Sequence, residues 1–149
     1  MTKIEVKNRK IIEIVKKLDL LEGEYAVFGS ALLDVLGLRE SGDVDLILTK
    51  KLFEELARRE DWEKFTYENN GDEALKYQGD FVDVAFYYCN YFPGCDEAGI
   101  LGMIKDAAII EGVNFVSLED TLKWKRAAGR EKDLRDVGMI EGYLGRGGK

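Results

Sequence analysis

The chain has 149 residues, and its 22 basic and 29 acidic side chains leave a net charge of −7. With 46% hydrophobic and 34% charged residues it can bury a core, which excludes wholesale disorder; no apolar run approaches the roughly 20 residues that cross a bilayer. The acidic balance argues against a general nucleic-acid coat protein but leaves room for a local basic patch that holds one phosphate-bearing ligand.

Residues 1–7 lack the apolar stretch of a secretory leader, so a cytoplasmic location without membrane attachment is expected. One domain is expected over 1–149, with a core at about 8–117, a helical segment at 118–144 and a flexible tail at 145–149. Asn8 to Leu21 reads as a helix, with Ile11, Ile12, Val15 and Leu18 on one face. Tyr25–Phe28 reads as a strand running into Gly29-Ser30, then a helix from Ala31 to Leu36 and a strand from Val44 to Leu48. A charged helix follows from Lys50 to Arg59. Three strands are expected at Lys64–Tyr67, Ala74–Gln78 and Phe81–Tyr88, and the aromatic stretch Tyr87–Pro93 should leave the sheet. A hairpin over Ala107–Ile110 and Val113–Ser117 precedes two helices, Leu118–Ala128 and Glu131–Leu144, hinged at Gly129. The fold class is therefore α/β or α+β: a mixed sheet flanked by helices, with a helical C-terminal segment.

There is no histidine. Ser-His-Asp and Cys-His triads, and nearly all zinc and iron sites, are excluded. Cys89 and Cys95, in a C-x5-C spacing, match no familiar metal or redox motif and read as two reduced thiols. Carboxylates without histidine suit hard ions such as magnesium. Asp43 and Asp45 occupy positions i and i+2 at a strand entry and point the same way, with α-carbons roughly 6.5 Å apart. At an effective dielectric of about 20 their charges repel by about 2.5 kcal/mol, which one or two divalent ions would reverse. The other reading is a turn aspartate beside a solvated one. Asp83 lies inside the apolar run Phe81–Phe86, where burial is costly unless the carboxylate is paired or metal-bound. If its strand neighbours the Asp45 strand, three carboxylates converge; on an edge strand Asp83 would face water. Gly29-Ser30, between a strand and a helix, suits close approach of a phosphate. Lys123 to Asp136 is the densest basic stretch. Its acids allow a solvated face with pairs such as Lys132–Asp136, or a subset of its cations facing the carboxylates.

Taken together, Phe28-Gly29-Ser30, Gly37-Leu38-Arg39, Asp43-Val44-Asp45 and the later Asp83 resemble the nucleotidyltransferase superfamily of the DNA polymerase β type, in its small stand-alone prokaryotic forms. The end of the chain, Ser117 to Asp136, is similar to the abortive-infection toxin and antibiotic-modifying branches. The resemblance spans about residues 25–144. It implies that Gly29 and Ser30 hold nucleotide phosphates and that Asp43 and Asp45 hold two magnesium ions, manganese being the alternative. It also implies that Asp83 shares a metal and assists deprotonation of the attacking hydroxyl. Lys125 and Arg130 would reach the phosphates, oriented by Asp133 and Asp136. The implied reaction moves an NMP group from a nucleoside triphosphate to a hydroxyl or phosphate and releases pyrophosphate. The acceptor is an RNA end, a protein or a small molecule, or is brought by a partner protein. The alternative is a catalytically silent nucleotide- or protein-binding module of the same fold, within a toxin–antitoxin pair.

Overall fold

Hydrophobic periodicity resolves into six helices and seven strands in the computed structural model, which describes residues 5–79, 82–90 and 93–146. They are α1 (Lys10–Leu18), β1 (Tyr25–Phe28), α2 (Ala31–Val35), β2 (Val44–Leu48), α3 (Lys50–Ala57), β3 (Trp62–Thr66) and β4 (Glu73–Tyr77). Then come β5 (Val82–Phe86), α4 (Glu97–Lys105), β6 (Ala108–Ile110), β7 (Val113–Phe115), α5 (Leu118–Ala128) and α6 (Glu131–Gly145). The strands form one sheet in the order β3-β4-β5-β2-β1-β7-β6. It is mixed: β2 runs parallel to β5 and β1 to β7, and the other neighbours are antiparallel. The expected α/β architecture is thus the observed one, and the Asp83 strand does neighbour the Asp45 strand.

Helices cover both faces, and the alternation of β1 and β2 decides what each covers. Val27, Val44, Leu46 and Leu48 point into a main core shared with α1, α2 and α3. Leu118, Leu122, Val137, Ile140 and Tyr143 of the two closing helices join the same core. Ala26, Phe28 and Ile47 point the other way, against Ile100, Met103 and Ile104 of α4 and Trp124 of α5. The Trp124 ring stacks on Phe28 with centroids 4.5 Å apart. No described helix is long and apolar enough to cross a membrane.

Differences from the sequence expectation are local. Helix α1 stops at Leu18 rather than Leu21, because Asp19 turns into the left-handed region (φ 50°), which short polar side chains tolerate. Helix α4 is an element the periodicity did not announce. Gly99 and Gly102 lower its helix propensity, and it is secured by Asp96, whose Oδ1 accepts the Gly99 N–H at 2.8 Å. Strand β5 ends at Phe86, before Tyr88, and its expected first residue, Phe81, lies outside the described residues. Tyr87 to Asn90 leave the sheet as expected, while Tyr91 and Phe92 are outside the described residues. Helix α6 continues through Gly145, into the segment expected as tail.

Candidate functional site

Strand β1 delivers the chain to Gly29, whose φ of +84° is a conformation only glycine adopts without strain. A β-carbon there would stand 3.6 Å from Asp45 Oδ2, so backbone and carboxylate already lie side by side. Ser30 precedes α2 but does not cap it with its side chain. Its hydroxyl instead donates to Asp136 Oδ2 at 2.9 Å and accepts from Lys125 Nζ at 3.2 Å. The turn after β1 is therefore pinned by α5 and α6.

Asp45 pairs across the sheet with Phe28 of β1, so it faces the Phe28–Ile47 side. On β5, Val84 and Phe86 face that side and Ala85 the other. Strict alternation would send Asp83 away with Ala85. The ladder prevents this: Val44 pairs with Val82, but Asp45 pairs with Val84. Asp83 is thus the extra residue of a β-bulge, a device that re-aims one side chain. It lines the same cavity as Asp45. No alternation rule could reveal this, since the bulge exists only in the pairing of β5 with β2.

The cavity has a volume of about 330 Å³. Gly29, Ser30, Asp43, Asp45, Asp83, Lys125 and Arg130, all seven residues singled out from the sequence, line it. Asp43 and Asp83 are exposed at its rim, while Asp45 reaches inward. Asp45 Oδ1 is buried and, among the described residues, has no hydrogen-bond partner. Burial first, then the charges of Asp83 and Asp43, push its carboxyl up to about 7, against the smaller pull of Lys132 and Lys125. Among the described residues no three cysteine or carboxylate side chains are gathered as a metal-holding cluster. The carboxylates nevertheless fit a hard divalent cation in donor chemistry. An unbonded buried oxygen, raised by two like charges, is what such a cation would stabilise.

The basic side is built on a clasp between α5 and α6. Lys125 is only 2% exposed, and its ammonium sits 2.9 Å from Asp136 Oδ2 and 3.7 Å from Asp133 Oδ1. Asp136 also accepts from Arg39 Nε at 2.8 Å and from Arg39 Nη2 at 2.9 Å. Burial raises the Asp136 carboxyl, but the bonds from Arg39 and Lys125 win and hold it well below the usual range. Arg130 grips Asp133 through Nε at 2.6 Å and Nη2 at 3.0 Å. The Lys132–Asp136 helix pair that the spacing allows is not formed. Asp136 faces inward beside Val137 and Ile140, whereas Lys132 is exposed and contributes instead to the cavity wall.

Two wall residues, Arg39 and Lys132, escaped the sequence reading as site candidates. Arg39 meets an aspartate 97 positions away, which no local pattern encodes. The signal for Lys132 lay in the basic stretch itself. Four positions on along α6, the Asp136 carboxylate is already taken by Ser30, Arg39 and Lys125, which leaves Lys132 to the cavity wall.

No family model matches the chain, and no curated protein does. Among solved structures the chain is similar to an antigenic nucleotidyltransferase-like protein from Paracoccidioides brasiliensis, at 20% identity. That likeness covers 87% of this chain and 71% of the other, with a TM-score of 0.41. At that level it assigns neither a family nor an activity.

Proposed function

We propose that the chain is a metal-dependent nucleotidyltransferase that moves an NMP group from a nucleoside triphosphate to an acceptor and releases pyrophosphate. One observation carries this reading. Residues from four separated stretches of sequence, chosen for phosphate, carboxylate and cationic chemistry, line a single cavity. Asp43, Asp45 and Asp83 would hold magnesium, with manganese the alternative, and the ion would neutralise charge on the reacting phosphate. The Gly29 backbone and the Ser30 hydroxyl face the phosphates, with Arg130 and Lys132 supplying positive charge. Lys125 and Arg39 act through Asp136, fixing Ser30 and the turn after β1. Asp83, aimed by its bulge, receives the proton of the attacking hydroxyl.

The second reading is a catalytically silent module that binds nucleotide or protein. The lack of a gathered metal cluster among the described residues favours it. A thermal-shift series with ATP, GTP, CTP and UTP, in magnesium and in EDTA, tests the nucleotide site. A nucleotide at 100 times its dissociation constant adds about 2.7 kcal/mol. The expected result is a magnesium-dependent shift that disappears in Asp45→Asn. No shift with any nucleotide would remove both readings of a nucleotide site. Asp83→Asn then separates enzyme from silent module: pyrophosphate release should fall at least a hundredfold with the thermal shift retained.

A further inference from the structure

Asp34 belongs to α2, a five-residue helix whose other members are all apolar, and at 3% exposed it is as buried as they are. A carboxylate in such a place is costly unless its oxygens meet donors. Two donors reach it from opposite directions along the chain. Asn8, just before α1, donates side-chain Nδ2 to Asp34 Oδ1 at 2.5 Å. Ser41, seven residues after Asp34, donates its backbone N–H to Oδ2 at 2.8 Å. Both donors are neutral, so these bonds join segments of chain rather than balance a charge.

The segment that Asp34 ties down, residues 37–43, carries Arg39 and ends in Asp43. Its start is fixed by backbone. The Gly37 N–H donates to the Asp34 carbonyl at 3.0 Å and the Leu38 N–H to that of Leu33 at 2.9 Å. The Lys7 N–H bonds the Val35 carbonyl at 2.8 Å, and a β-carbon on Gly37 would stand 2.8 Å from Lys7 Cβ. The chain ahead of α1 therefore lies directly against this turn. At the far end, Ser41 meets the Asp34 carboxylate, and the Ser41 hydroxyl donates to the Asp43 carbonyl at 3.0 Å. Asp34, Ser41 and Asp43 are thus linked bond by bond. Between the two anchors, Arg39 reaches across to Asp136.

The geometry also explains the residue type. Two N–H groups converge on one short side chain, and a carboxylate supplies two acceptor oxygens where an amide supplies one. Asparagine would keep the shape but turn a donor toward either Asn8 or Ser41. An apolar side chain would suit the helix and leave the Ser41 N–H without its bond.

We propose that Asp34 is a positioning residue for the metal side of the site: through Ser41 it sets where Asp43 and Arg39 stand, and Asn8 holds Asp34 in turn. The proposal rests on the nucleotidyl-transfer reading, in which Asp43 holds magnesium. Asp34 itself does not line the cavity.

Magnesium titration of the nucleotide-dependent thermal shift tests this role in Asp34→Asn and Asn8→Ala, using whichever nucleotide shifts the parent most. Leu56→Ala, in the core on α3, is the control for lost stability alone. Asp34→Asn should raise the magnesium concentration for half the shift about tenfold, and Asn8→Ala should raise it by less. Leu56→Ala should melt lower and keep the parent midpoint. Without nucleotide, amide hydrogen exchange across 37–43 should quicken in Asp34→Asn and Asn8→Ala but not in Leu56→Ala. A parent midpoint in Asp34→Asn, or an equal rise in Leu56→Ala, overturns the positioning role and leaves the nucleotide site standing. Unchanged exchange at 37–43 overturns the route through Ser41. Should Asp34→Asn fail to fold, Asn8→Ala decides on the same two readings. A parent with no nucleotide shift removes nucleotidyl transfer and this role with it, and quickened exchange would then mark a structural brace only.

Discussion

Lys125 and Lys132 border the same cavity, yet their surroundings give them different work. Lys125 is enclosed, bonded to Ser30 and Asp136 and seated 4.6 Å from the Trp124 ring centroid. Truncating it would empty a buried site and take one cation from two buried carboxylates, leaving Asp136 to Arg39 and Ser30 and Asp133 to Arg130. Removing one partner of a buried pair typically costs about 3–5 kcal/mol. Lys132 is exposed and, among the described residues, forms no ion pair. Its charge acts on Asp45. Lys125→Ala is therefore expected to lower urea stability by about 3–5 kcal/mol, while Lys132→Ala changes it by less than about 0.5 kcal/mol. Nucleotide titration should show the opposite order for Lys132→Ala: roughly tenfold weaker binding from one lost phosphate contact, about 1.4 kcal/mol. Parent-like affinity in Lys132→Ala would return the phosphate contact to Lys125, as the sequence resemblance implied.

The site is held by three junctions between elements, and they were not equally legible. The turn from β1 into α2 could be read, since an apolar run ending in Gly-Ser before helical spacing is a local pattern. Its positive φ gives a direct test. Gly29→Ala meets no steric clash, its nearest neighbour being Asp45 Oδ2 at 3.6 Å, so any loss comes from backbone strain. A loss of about 1–2 kcal/mol is expected in urea denaturation, and an unchanged midpoint would mean that the turn relaxes freely. The junction of β2 with β5 was legible only in part. The apolar Val82–Phe86 run showed a buried strand, but the slip that turns Asp83 toward Asp45 belongs to the pairing of two strands. The clasp of α5 on α6 was readable as two helices and not as a network. The inward placement of Asp136, and its bonds to Arg39 and Ser30, depend on packing over long sequence separations. Helix α4 was hidden differently. Its two glycines and mixed apolar pattern obscure a helix that tertiary burial of Ile100, Met103 and Ile104 sustains.

At the scale of the molecule, two groups of aspartates oppose each other as pH changes. Asp136 and Asp133 are buried yet titrate below their ordinary value, because the bonds and charges of Arg39, Lys125 and Arg130 more than offset desolvation. Their contribution is present above the unfolded carboxyl pKa, near 3.9, and is lost as pH falls below it. Asp45 has the other sign. Its folded carboxyl, raised from 3.8 to about 7, favours the protonated form. Its contribution is full below 3.8 and is lost as pH rises toward 7. That gap is worth on the order of 4 kcal/mol, a large share of the roughly 5–15 kcal/mol that holds a domain together. In EDTA the protein should therefore be most stable at mildly acidic pH and weaken on both sides. Asp45→Asn should remove most of the decline between pH 4 and 8 and leave the acid limb in place. At pH 8 it should melt above the parent. Magnesium, if Asp45 binds it as proposed, should offset the same decline in the parent and do little for Asp45→Asn. Parallel stability curves for parent and variant across pH 4–8 would show that Asp45 ionises without penalty, and would take away the electrostatic reason for a cation at this wall.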